Sequence, residues 1–132
     1  MKEYIDGDLV RYTSLYKEPV AEICEVRETS YLIRFMNGNF AKVTSQEIKP
    51  IPLTTDILEK NGWEFTGHKL DYGGFLLDIY SKRDILPYLY YYYATKDFSV
   101  SICGEEALPD MKYVHQLQHL LFGLGLNSEM EV

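Results

Sequence analysis

Three residues, Asn37-Gly38-Asn39, constrain this chain more than any others. Asn and Gly tolerate the positive φ of a type I′ turn, and here they stand between two runs of strand-forming residues. They therefore predict a tight β-hairpin. Residues 31–36 supply the first arm, with Tyr31, Ile33 and Phe35 on one side, and residues 40–43 supply the return. Two earlier runs, residues 8–12 and 20–26, read as strands as well. The second places Val20, Glu22, Cys24 and Val26 together, a mixed register that points to a bulge. Residues 45–48 read as a single helical turn.

Pro50-Ile51-Pro52 then breaks both helix and sheet ladder and marks the one plausible boundary. The charge shifts there too: residues 1–50 carry 7 basic and 8 acidic groups, residues 51–132 carry 6 and 12. Beyond it, residues 54–61 form a short helix, with Thr55 as cap and Asn61-Gly62 as stop. Residues 63–70, 75–80, 87–94 and 98–103 continue as an antiparallel meander, with Phe98, Val100 and Ile102 alternating with serines. Pro109-Asp110 opens a closing helix of about four turns, whose stripe of Val114, Leu117, Leu121 and Leu124 should lie on the second sheet. His115, Gln116 and His119 fall on the opposite, solvent side. The fold class is α+β, with segments 1–50 and 51–132.

Several of these stretches resemble a known group. Pro50-Ile51-Pro52-Leu53-Thr54, the Lys60-Asn61-Gly62-Trp63 helix end and Tyr113-Val114-His115-Gln116-Leu117-Gln118 are similar to small proteins of Bacteroides-type phages and prophages. The resemblance covers roughly residues 48–132. It departs at His119, where the pattern has Asn, and at Gly125-Leu126-Asn127. Gly7, Leu9-Val10, Ile23, Val26, Phe35 and Gly38 resemble the pattern of a small SH3-like β-barrel. The resemblance implies such a barrel, followed by an antiparallel sheet packed by a short helix and a C-terminal helix. It also implies a mobile-element origin, and it brings no catalytic residues.

Composition narrows the function classes. The chain has 132 residues and a net charge of −7. Nucleic-acid affinity rests on Lys and Arg neutralising phosphates, so no nucleic-acid partner is expected, and an anionic membrane surface is disfavoured for the same reason. No apolar run approaches the ~20 residues of a membrane span, and the charged start is no signal peptide, so the expected address is the cytoplasm of a bacterial host. Cys24 and Cys103 sit among apolar strand neighbours, where cysteine behaves as an inert small hydrophobe. His115 and His119 share a helix face, but Gln116 replaces the Glu of a zinc-protease signature and no third ligand is near. Gly73-Gly74 has no Lys-Ser/Thr companion. These observations predict no catalytic residues, no metal and no cofactor.

Tyrosine is the compositional excess: 12 residues, five of them between 88 and 93. Tyr88, Tyr90 and Tyr92 share one face of a strand, and Tyr91 and Tyr93 the other. If one column faces solvent it is a recognition surface, since tyrosine offers large contact area with few torsions to freeze. Pro87 suits an edge strand. An uncharged edge invites covering by another subunit, so a homo-oligomer is expected. The barrel aromatics Tyr12, Tyr16 and Tyr31 form a second candidate surface. The expected function is a non-enzymatic phage accessory protein that inhibits a host or immune protein by contact. The alternatives are an oligomeric sponge for a nucleotide-derived immune signal, with phosphates held by Arg11, Arg27, Arg34, Lys82 or Arg83, and a small hydrolase. The residues expected to meet the partner are Tyr88, Tyr90, Tyr92, Tyr12, Tyr31, Arg34 and Arg83.

Overall fold

A computed structural model describes residues 4–70, 73–83, 85, 87–102 and 105–132, and only the backbone at 102 and 105–110. Cys103, and Asp110 as a helix cap, lie outside the described side chains. The chain divides into two compact units, one of residues 1–52, 113–130 and 132, the other of residues 53–112 and 131.

The first unit is built on β1 (Leu9–Tyr12), β2 (Val20–Val26), β3 (Tyr31–Phe35), β4 (Phe40–Val43) and β5 (Ile48–Pro50), ordered β4-β3-β2-β1-β5 and antiparallel throughout. The bulge lies where the mixed register of β2 placed it, between Ile23 and Glu25. It lets Ala21 and Ile23 stay inside while the strand passes Cys24. Val10, Ala21, Ile23, Ile33, Val43 and Ile48 form one buried cluster with Tyr4. The expected closed barrel is not formed. Among the described strands β4 bonds only β3, and β5 bonds only β1. β5 is three residues long and leaves through Pro50 and Pro52, which have no N–H with which to extend the ladder.

The second unit opens with α1 (Thr55–Lys60), whose cap is Thr54, one residue earlier than expected: its hydroxyl accepts from Ile57 N at 3.2 Å. Asn61 and Gly62 end the helix as the sequence foretells, with Gly62 at φ 88°. The antiparallel meander comprises β6 (Glu64–Leu70), β7 (Leu76–Ser81), β8 (Tyr88–Tyr92), β9 (Asp97–Ile102) and β10 (Glu105–Met111), in the order β10-β9-β8-β7-β6. β10 was not expected. Pro109 reads as a helix opener but lies in the edge strand, where the register of β10 on β9 shifts between Leu108 and Met111. The tyrosine run, expected at an edge, is the central strand and is paired on both sides. Leu58, Trp63, Leu77, Tyr80, Leu89, Phe98 and Val100 fill this unit's core.

α2 (Val114–Gly123) is shorter than expected and begins after Tyr113, whose N–H is capped by Gln116 Oε1 at 2.9 Å. Val114, Leu117 and Leu121 are buried, so the stripe is right, but it belongs to the first unit and not to the second sheet. Val114 N bonds Ile51 O at 2.8 Å, and a Pro52–Tyr113 bridge brings the chain back beside β5. Polar side chains of the helix do much of its docking. Gln118 accepts from Leu9 N at 3.0 Å and donates to Gly7 O at 2.9 Å and Ser128 O at 3.2 Å. Among the described residues, no helix is long and apolar enough to cross a membrane.

Candidate functional site

The turn between β3 and β4 differs from the two-residue type expected, and the difference shapes a surface. Gly38 alone takes positive φ, at 90°. Its N–H bonds Phe35 O at 2.9 Å, and Asn39 O accepts from Phe35 N at 2.8 Å. Asn37 Oδ1 accepts from Asn39 N at 3.0 Å. A wider loop results, with Met36 at its tip, 69% exposed, and Phe40 exposed where the return strand starts.

The β1–β2 loop lies opposite. Polar contacts hold this loop: Arg11 Nη1 donates to Glu18 O at 3.0 Å, Lys49 Nζ pairs with Glu18 at 2.5 Å, and Thr13 N bonds Glu47 O at 2.8 Å. Leu15 and Tyr16 at its tip are exposed, Tyr16 at 99%. Loop and hairpin enclose an open groove of about 550 Å³ lined by Leu15, Pro19, Val20, Phe35, Met36 and Phe40, with Asn37 and Asn39 at its lip. On the hairpin's other side a second concavity of about 670 Å³ is lined by Glu22, Arg34, Met36, Gln118, Glu129 and Met130 among others. Arg34 Nη2 and Glu22 Oε2 are 3.4 Å apart there and well exposed. Met36 borders both hollows, and its unbranched thioether adapts to differently shaped partners. The hairpin thus joins an apolar hollow to a polar one.

The sequence-predicted residues separate into two sets. Tyr12 is half-buried and packs edge-on against Phe35, ring centroids 5.5 Å apart, supporting the groove from within. Tyr31 packs edge-on against Tyr4 at 5.7 Å. It lines a third hollow of about 530 Å³ with Arg27, Thr29, Ser30 and Ser45. In the second unit Arg83 is exposed in the turn after β7. The tyrosine column does not stand out as three rings: Tyr88 is 46% exposed, Tyr92 is half-buried and Tyr90 is 7% exposed. Tyr90 stands directly opposite buried Ser99, and Lys69 Nζ lies 5.2 Å from its ring centre. Leu15, Met36 and Phe40 were missed. Their one signal was a large apolar residue set against each turn.

Two buried carboxylates hold histidines. In the first unit Asp8, 1% exposed, accepts from Ile5 N at 2.9 Å and meets His119 Nε2 at 2.8 Å. Burial pushes the Asp8 carboxyl up, against the lowering effect of those two partners. His115 is buried beside Tyr4 and Tyr113, with ring centroids at 5.0 and 5.8 Å. Tyr4 is pushed up to about 12, chiefly by burial. This cluster fastens α2 to the residues before β1. In the second unit Asp78 sits between His68 Nδ1, 2.6 Å away, and the Tyr93 hydroxyl, which donates at 2.5 Å. That donation comes first in raising Tyr93 to about 12. Burial raises the Cys24 thiol, which keeps it protonated and unreactive. Among the described residues no group of three or more His, Cys, Asp or Glu could hold a metal ion. No protein-family model, no curated protein and no solved structure matches the chain.

Proposed function

We propose that the chain is a phage or prophage accessory protein that acts in the bacterial cytoplasm by binding an extended segment of a host or immune protein across the β3–β4 hairpin. The supporting observation is the cluster of Leu15, Met36 and Phe40, three large apolar side chains exposed around one groove, with exposed Tyr16 next in sequence to Leu15. Such clustering marks interaction surfaces more than scattered exposure does. Edge strand β4 begins at Phe40 and leaves its outer backbone groups for a partner strand. The chain's charge of −7 favours encounter with a basic surface. The bound segment is accordingly apolar at alternate positions and flanked by Lys or Arg. The occlusion of a host factor is carried by the resemblance of residues 48–132 to phage proteins.

Selection of displayed peptides on the immobilised protein tests this reading. Enriched peptides should share the apolar-alternating, basic-flanked pattern and shift amide resonances of residues 15–20 and 35–40. A selection that enriches nothing above a Met36→Asp/Phe40→Asp variant ends it.

The hollow beside Tyr31 favours a second reading, sequestration of a nucleotide-derived signal. It offers an aromatic ring, the Arg27 guanidinium and three hydroxyl side chains. A ligand bound there raises the melting temperature by mass action. A panel of cyclic nucleotides and ADP-ribose derivatives that leaves the melting temperature unmoved removes it.

A further inference from the structure

β6 forms one edge of the second sheet, and six of its seven residues are exposed. Its pairing with β7 fixes which way each side chain points. Glu64 stands opposite Ser81, Phe65 opposite Tyr80, Gly67 opposite Ile79, His68 opposite Asp78 and Lys69 opposite Leu77. Thr66 is the extra residue of a bulge, and its hydroxyl reaches back to Ile79 O at 3.2 Å. In an unbroken strand Glu64 and Lys69 would point to opposite faces, since side chains alternate. The inserted residue puts them on the same face. It likewise puts Phe65 and His68 together on the other, with ring centroids 5.0 Å apart. The order of faces now reads the same in both directions from the Thr66–Gly67 peptide.

A two-fold axis perpendicular to the sheet, level with that peptide and midway between the two strands, lays a second β6 antiparallel beside the first. Glu64 then stands opposite Lys69 of the partner subunit, and Phe65 opposite His68 of the partner subunit. Symmetry makes each pair twice. Opposite charges and aromatic pairs at directly facing positions stabilise antiparallel strands. Exposed Leu70 and Leu76, themselves cross-strand partners, extend the apolar part on the Phe65 face. A bulge deters a straight foreign strand from adding to an edge. A second copy carries the same bulge at the same point of the register, so the edge fits itself better than it fits other strands.

We propose that the protein forms a two-fold dimer by β6–β6 pairing in this register, joining two five-stranded sheets into one of ten strands. The test is sedimentation equilibrium of the full chain from low to high micromolar concentration, with charge reversals. The native chain should be a reversible dimer. Glu64→Lys alone and Lys69→Glu alone each set like charges face to face twice, and each should weaken the dimer by roughly tenfold or more. The double reversal, Glu64→Lys with Lys69→Glu, should restore it to near the native value. A native chain that stays monomeric throughout overturns the proposal. So does a dimer indifferent to both single reversals, or one that the double reversal fails to rescue. Both positions are exposed, so circular dichroism of the variants should match the native spectrum.

Discussion

Two serines give the sharpest expectation at the scale of single residues. The hydroxyls of Ser99 and Ser101 are buried and have no hydrogen-bond partner among the described residues. An unmet buried hydroxyl costs about 1–3 kcal/mol, so Ser99→Ala or Ser101→Ala should be neutral or stabilising by up to about 1–2 kcal/mol in urea denaturation. Tyr93 offers a spectroscopic check. Its proton is held by Asp78, so in an alkaline titration at 295 nm Tyr93 should be among the last tyrosines to ionise, near pH 12. In Asp78→Asn it should titrate earlier. Asp8 links folding to pH with a definite sign. Its folded carboxyl titrates above the ordinary range, so over that window the native state binds more protons than the unfolded one. Its contribution to stability is therefore largest at acid pH and falls as pH rises through the raised value. The native chain should lose stability relative to Asp8→Asn over that interval. None of these positions announced itself in the sequence. Serines alternating with Phe98 and Val100, and single acids such as Asp8 and Asp78 in strand runs, carry no mark of burial in the sequence. Burial depends on what the fold places over them, which alternation does not report.

Among whole elements, those legible in advance are those whose pattern and partner are both local. β2 with its bulge, the β3–β4 hairpin and the β6–β9 meander each bury a face against an immediate neighbour in sequence. α2 shows the opposite case. Its apolar stripe was plain, but the sheet that receives it was not, because the choice rests on polar contacts of Gln118, which an apolar stripe does not mark, and of His119, which reads as solvent-facing. Gln118 satisfies Leu9 N and Gly7 O at once. Gln118→Ala leaves at least one buried backbone group unmet and should cost about 2–4 kcal/mol, read as a lowered urea midpoint. Leu117→Ala in the same helix should cost about 2–5 kcal/mol. If Gln118→Ala is as mild as a surface change, the polar docking of α2 is wrong. The candidate surface was partly legible: Tyr12 and Tyr16 were expected on a recognition face of this unit, and Tyr12 packs against Phe35 of the groove, while Met36 and Phe40 depend on a turn one residue wider than Asn-Gly usually makes.

For the molecule as a whole, the chain divides into compact units at residue 52, and the segment beyond it is an insertion and not a second half. The first unit is closed by residues on both sides of the 53–112 segment. Leu53 N bonds Lys112 O and Val114 N bonds Ile51 O, both at 2.8 Å, so the inserted segment leaves and re-enters the first unit at adjacent strands. Residues 1–52 alone should therefore give the collapsed amide dispersion of an unfolded chain. The same residues joined to 113–132 by a short Gly-Ser linker should regain dispersed signals. A folded 1–52 fragment is the outcome that contradicts this.

The polar clasp between α2 and the start of β1 has a consequence for how the chain is made. His119 and Asp8 are 111 residues apart, as are Gln118 and Gly7. Synthesis proceeds from the N-terminus at about 5–20 residues per second, and domains usually fold in the order in which they emerge. Here the order inverts. Residues 1–52 cannot be completed until residues 113–130 leave the ribosome, whereas the 53–112 segment is contiguous and has every strand it needs sooner. For those several seconds the early strands wait with Leu9, Val10 and Ile23 uncovered, a period in which a chaperone has more to hold than it does once α2 arrives.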